Sequence, residues 1–210
     1  MKGAVKMAVF PSEHAAQIPE RFKGLIFDCD GTLVDTMPLH YLAWKKAMAA
    51  VGISISEERF YAFSGMPTVK IIQTLATEQN VTCDVEAAAH EKERLFLENI
   101  ESLEPIHSVI EIVSREHGRR KMAVASGGWR SVILKSLGAV GIENMFDAIV
   151  GADEVEHGKP APDIFLAAAL RLGLQPDECL VYEDGDLGIQ AAHAAGMEVI
   201  DVRPWYLPRR

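Results

Sequence analysis

The sequence predicts an α/β fold: a doubly wound, Rossmann-like parallel sheet carrying an inserted α-helical domain. Three observations predict it. Short apolar runs of β-like composition alternate with segments of helical periodicity along most of the chain. Two aspartates directly follow the first of those runs. One stretch, 37–103, breaks the alternation with helices alone. A chain of 210 residues accommodates such a core with a smaller domain inserted.

The first apolar run, Gly24-Leu25-Ile26-Phe27, is too short for a helix and reads as a buried strand. Residues 1–22 ahead of it are read as an N-terminal extension. Their apolar segment Met7-Ala8-Val9-Phe10 is too short for a signal sequence or a membrane span. Helical periodicity then falls at 40–51, 56–63, 69–78 and 85–100. This insertion, 37–103, leaves and rejoins the main domain, 23–36 and 104–210, beside the loop that follows the first strand. That position suits a lid; a fixed packing layer is the alternative. Beyond it, strands at 121–125, 148–150, 179–182 and 198–202 alternate with helices at 108–117, 130–137, 163–172 and 187–195. Such alternation makes the strands parallel and gathers the loops after them at one edge.

Composition narrows the function classes. With 21 basic and 30 acidic residues the formal net charge is −9, which disfavours nucleic acid and anionic membrane as partners. An anionic ligand therefore needs local cations. Cys29, Cys83 and Cys179 lack metal-ligand spacing and read as buried thiols of a reducing compartment, with a cytoplasmic monomer as the expectation.

Four groups of residues fall at the predicted strand ends. Asp28 and Asp30 lie two positions apart, and their mutual repulsion calls for a cation or a proton. Ser126-Gly127-Gly128 follows the second strand, where backbone N–H groups and a helix N-terminus can receive an anion; an ordinary turn is the other reading. Lys159-Pro160-Ala161-Pro162-Asp163 presents a lysine from a stiffened loop. A lone lysine is usually a solvated charge, but two carboxylates and an anion in one pocket would require it. Glu183 and Asp184 follow the fourth strand, placed for a magnesium ion or simply for capping the next helix.

In this order and spacing, Asp-x-Asp-Gly-Thr, the strand-end serine, Lys-Pro-x-Pro-Asp and Glu-Asp-x-x-x-Gly resemble the haloacid dehalogenase-like hydrolase superfamily from Lys23 onward. The helical insertion resembles that family's small α-helical cap. The segment from Asp35 to Trp44 resembles its β-phosphoglucomutase and sugar-phosphatase branch. Ser64-Gly65-Met66-Pro67-Thr68, 159–165 and Gly188-Ile189-Gln190-Ala191-Ala192 are similar to bacterial fructose-1-phosphate phosphatases.

The resemblance implies Asp28 as nucleophile and Asp30 as general acid and base. It implies Mg2+ on the Asp28 carboxylate, the Asp30 main-chain carbonyl and Asp184, with Glu183 and Asp186 ordering waters or neighbouring ligands. Lys159 would balance charge, while Thr32, Ser126 and Gly127 would hold phosphoryl oxygens. The expected substrate is a small phosphorylated sugar, met by His40, Trp44 and Thr68. Because Asp30 supplies a proton that a halide leaving group would not need, phosphate hydrolysis is favoured over dehalogenation. A mutase is the runner-up: Thr68 stands where β-phosphoglucomutases carry an arginine and Gly128-Trp129 where they carry Ser-Lys, leaving Lys70 or Arg130 to compensate. A non-catalytic binding protein on the same fold is the remaining alternative.

Overall fold

The structure is a computed structural model that describes residues 18–205. Five parallel strands, β1 (Gly24–Phe27), β2 (Lys121–Ala125), β3 (Ala148–Val150), β4 (Cys179–Glu183) and β5 (Glu198–Asp201), form one sheet in the order β3-β2-β1-β4-β5. β1 is central, with Gly24 level with both Lys121 and Cys179. Its four residues are all buried, as a parallel strand covered on both faces requires.

Side-chain alternation sorts the helices to the two faces. Leu25 and Phe27 point to one side, with Val124 and Tyr182. There they pack against α5 (His107–Glu116) and α6 (Arg130–Ala139) through Val109, Ile112, Ile133 and Leu137. Ile26 and Val181 point to the other side, against Phe165, Ala168 and Ala192 of α7 (Asp163–Leu172) and α8 (Asp186–Ala194). A left-handed Gly173 (φ 67°) ends α7.

Between β1 and α5 lie α1 (Met37–Ala50), α2 (Glu57–Ala62), α3 (Thr68–Glu78) and α4 (Val85–Leu97), which share a second apolar core of Trp44, Met48, Phe60, Ile72, Leu75 and Ala89. Ser56 caps α2 through Arg59 N–H (3.2 Å) and Asp84 caps α4 through Ala87 N–H (3.0 Å). The two connections to these helices run side by side, with Asp35 N–H donating to the Glu104 carbonyl at 2.9 Å.

The elements differ from the sequence reading mainly at their ends. α1 starts at Met37, three residues before the predicted 40, because Pro38 fits the first turn. α4 stops at Leu97, and the predicted continuation to 100 gives way to a 3₁₀ turn at Ile100–Ser102. β4 runs on to Glu183, which makes that carboxylate part of the strand. Of the predicted extension 1–22, residues 1–17 lie outside the described residues. Phe22 is buried in the sheet-side core, and its carbonyl accepts from Arg120 Nε at 2.8 Å.

Candidate active site

At the end of β1 the chain turns sharply. The Cys29 carbonyl accepts from Leu33 and Val34 N–H (3.0 and 3.1 Å), and Gly31 takes φ 85°. A Cβ at Gly31 would stand 2.2 Å from Asp184 Oδ2, so glycine both makes the turn and lets Asp184 close on it. Thr32 Oγ1 donates to the other Asp184 oxygen at 2.9 Å. Thr32 thus orients Asp184. The Thr32 hydroxyl is fully buried against this carboxylate.

Lys159 comes from the loop after β3 and is 2% exposed. Its Nζ donates to Asp28 Oδ1 and to Glu183 Oε1, both at 2.6 Å. Asp163 steadies that loop by accepting from His157 N–H at 3.2 Å. The remaining Glu183 oxygen accepts from Gly185 N–H. Both Glu183 oxygens therefore accept from protein donors, and Glu183 holds the lysine and the loop. A Cβ at Gly188 would lie 1.7 Å from Glu183 Oε1, so the glycine of the Glu-Asp-x-x-x-Gly pattern lets the first turn of α8 cover this carboxylate. Asp186, by contrast, is an exposed partner of Arg203 (2.8 Å) and takes no part in the site.

Burial pushes the Asp28 carboxyl up to about 8, with Glu183 and Asp30 adding to the rise and Lys159 opposing it. Burial, then Glu183 and Asp28, likewise drive Asp184 well above the usual carboxylate range. For Lys159, burial works against the charge, but Asp28 and Glu183 outweigh it and raise the ammonium above its ordinary value. The group is thus short of positive charge. Two carboxylates that resist ionisation, Asp28 buried and Asp184 half-buried, beside one committed lysine suit a hard divalent cation. Among the described residues no three His, Cys, Asp or Glu side chains surround a common point. Magnesium does not need them, since it takes one or two carboxylates and keeps several waters.

Asp30 is held differently. Its Oδ1 accepts from Thr36 Oγ1 (2.8 Å) and lies 3.2 Å from His40 Nε2, while Oδ2 accepts from Ser126 Oγ at 3.3 Å. Burial alone would raise its pKa, but His40, Thr36 and the nearby Lys92 hold it well below the carboxylate range. Ser126 Oγ in turn accepts from Gly128 N–H at 3.2 Å. Gly127 lies beneath the loop between α2 and α3, where a Cβ would be 2.6 Å from the Gly65 carbonyl.

Asp28, Asp30, His40, Trp44, Thr68, Ser126 and Gly127 line one cavity of about 660 Å3, counting its open mouth. His40 stacks on Phe96 (3.9 Å between centroids, 11° between planes) and is turned to Asp30. Thr68 Oγ1 donates to Glu93 Oε1 at 3.1 Å. The cations weighed from sequence, Lys70 and Arg130, are exposed and do not line the cavity. Sequence reasoning missed the cation that does, Lys92, together with its neighbour Glu93. A signal was present: Ala88, Ala89 and Phe96 set the buried face of α4, and positions 92 and 93 fall on that same face.

The family model for haloacid dehalogenase-like hydrolases matches residues 25–202. The chain belongs to that family. It is 43% identical to the fructose-1-phosphate phosphatase YqaB of Escherichia coli over 88% of this chain and 98% of that protein. Among solved structures, a hydrolase from Pseudomonas syringae superposes with a TM-score of 0.79 at 26% identity, over 89% of this chain and 87% of that one. A β-phosphoglucomutase from Clostridium difficile gives 0.76 at 26% identity, over 85% and 83%. Family membership accounts for the convergence of all four strand-end groups on one edge of the sheet.

Proposed function

We propose that the protein hydrolyses small sugar phosphates of the fructose 1-phosphate kind, through a phosphorylated Asp28 and with Mg2+ as cofactor. The coarser statement, a haloacid dehalogenase-like phosphatase, follows from the family and the 43% identical relative. The observation that carries the finer one is Asp28 held at 2.6 Å by Lys159, with Asp30 facing the same cavity two residues on.

In this reading Asp28, through the oxygen that Lys159 does not hold, attacks phosphorus in line, and the bond to the sugar oxygen breaks. Asp30, which His40, Thr36 and Lys92 keep ionised in the free site, would take up a proton from solvent as the phosphate dianion arrives beside it, give that proton to the departing alkoxide, and then take one from the water that cleaves the aspartyl-phosphate. Lys159 offsets the anionic charge, and Ser126 and the backbone of Gly127 receive phosphoryl oxygens. The Asp28 and Asp184 carboxylates and the Asp30 carbonyl would hold Mg2+, which when bound neutralises the charge shared by phosphate and carboxylates. The helices α1 to α4 act as the cap, hinged at the paired connections around Asp35 and Glu104.

Phosphate release from a sugar phosphate panel, with magnesium and with chelator, tests the proposal. Release that chelator and Asp28→Asn both abolish is the expected result. Formation of glucose 6-phosphate from β-glucose 1-phosphate without net phosphate loss would establish the mutase instead.

A further inference from the structure

The cavity has a polar end in the inserted helices that the chemistry at Asp28 does not use. Glu93 Oε1 accepts from Lys92 Nζ at 3.0 Å and from Thr68 Oγ1 at 3.1 Å. Its Oε2 is buried and, among the described residues, has no hydrogen-bond partner. The side chains of Lys92 and Glu93 are 4% and 6% exposed, and all three residues face the same cavity as Asp28. Lys92 Nζ also lies over the rings of Trp44 (5.5 Å) and Phe96 (5.7 Å), so its position is fixed by aromatic faces as well as by Glu93.

A carboxylate oxygen buried without a donor is costly, and a native protein that keeps one usually has something that fills it. What fits here must bring a donor to Glu93 and an acceptor to Lys92, whose single described hydrogen bond leaves donors over. A hydroxyl group is both. The pair also cancels in charge, which matters for what is turned away. An isolated lysine would attract a second anion, whereas a lysine committed to a carboxylate with an open oxygen beside it presents no net positive charge and repels one.

Resting on the sugar-phosphatase reading, we infer that Thr68, Lys92 and Glu93 form a seat for the hydroxyls of a neutral polyol chain, and that this seat rejects substrates with a second anionic group remote from the reacting phosphate. The selectivity lies in the balance of the pair. Glu93 is the residue that prevents Lys92 from serving as a second phosphate clamp. Replacing it with glutamine keeps the shape and releases the lysine's charge.

Matched substrates test this: fructose 1-phosphate against fructose 1,6-bisphosphate, and a hexitol 6-phosphate against 6-phosphogluconate, with kcat/KM measured for wild type, Glu93→Gln and Thr68→Val. Wild type should favour the neutral-tailed member of each pair by about 100-fold. Glu93→Gln should narrow that ratio by about tenfold, through better use of the dianionic member. Thr68→Val should lower kcat/KM for the hexitol phosphate. Equal use of both members by wild type, or a ratio unmoved in Glu93→Gln, overturns the seat. The wild-type ratio decides the matter even where a variant fails to fold. Turnover of p-nitrophenyl phosphate, which has no polyol chain, tests the phosphatase reading separately: if wild type shows none with magnesium, that reading falls and takes the seat with it. If wild type turns it over while the substrate ratios are flat, the seat alone is wrong.

Discussion

Lys159 and Asp28, 131 residues apart in the chain, meet at 2.6 Å with essentially no solvent between them and the protein interior. The parallel sheet makes the meeting possible, because β1 and β4 lie side by side and the loop from β3 reaches over both. Replacing Lys159 with methionine keeps the stem but leaves Asp28 and Glu183 adjacent and buried without a counter-charge. The expected loss is about 3–5 kcal/mol, read by denaturant unfolding, together with loss of turnover. Unchanged stability would mean that the two carboxylates share a proton and do not depend on the lysine.

Asp28→Asn separates chemistry from folding. Burial already favours the uncharged form of this side chain, whose pKa stands at about 8, so an amide costs the fold little. Phosphatase turnover should drop by about 10⁴-fold or more while the melting temperature holds or rises. Thermal scans and phosphate release on one preparation check both halves.

Magnesium should stabilise the protein by supplying the positive charge that the charged forms of Asp28 and Asp184 lack. Saturating Mg2+ at about a hundred times its Kd adds about 2.7 kcal/mol. Beryllium fluoride should add a further increment that Asp28→Asn abolishes. Asp184→Asn should weaken the response to magnesium, as a titration followed by melting temperature would register.

Much of this was legible in the sequence, and the exceptions have physical reasons. Asp28, Asp30, Lys159 and Asp184 were readable because a parallel sheet sends the residues after its strands to one edge, whatever their separation along the chain. The partner of the Thr32 hydroxyl was not readable, because a threonine beside two aspartates does not reveal that Asp184, 152 residues on, will accept from it. Lys92 and Glu93 were passed over because adjacent opposite charges in a helix ordinarily sit in water. Only their register with Ala88, Ala89 and Phe96 betrays the buried face, and the cavity they border is made by packing several helices together.

Gly188→Ala should be disproportionately damaging for so small a change. Its methyl group would overlap the Glu183 carboxylate, and neither the strand nor the helix turn can retreat easily. The expected cost is about 1–3 kcal/mol, with loss of activity through displacement of Lys159. A melting temperature within error of wild type would show that α8 can shift.

Away from the site, Glu116 gives the fold an acid-sensitive tie. It is buried and accepts from Arg115 Nε at 2.8 Å and from Arg120 Nη1. Burial would raise its pKa, but the two guanidiniums prevail and lower it below the ordinary 4.5. A depressed folded-state pKa means that the stabilisation is complete above the unfolded value and fades as pH falls through the folded one. Glu116→Gln should therefore be less stable than wild type at pH 7 by about 1–3 kcal/mol. The gap should narrow as pH falls below 4.5 and close once pH is below the depressed folded-state value, which paired unfolding curves across an acid pH series would reveal.

The two oxygens of Asp30 belong to different neighbourhoods: one takes Thr36 and His40 at the head of α1, the other takes Ser126 after β2. This one carboxylate therefore ties the inserted helices to the sheet. If those helices act as the proposed cap, a swing about the Asp35–Glu104 tie would draw His40 away from Asp30, and the proton affinity of this carboxylate would rise in step with the opening of the cavity.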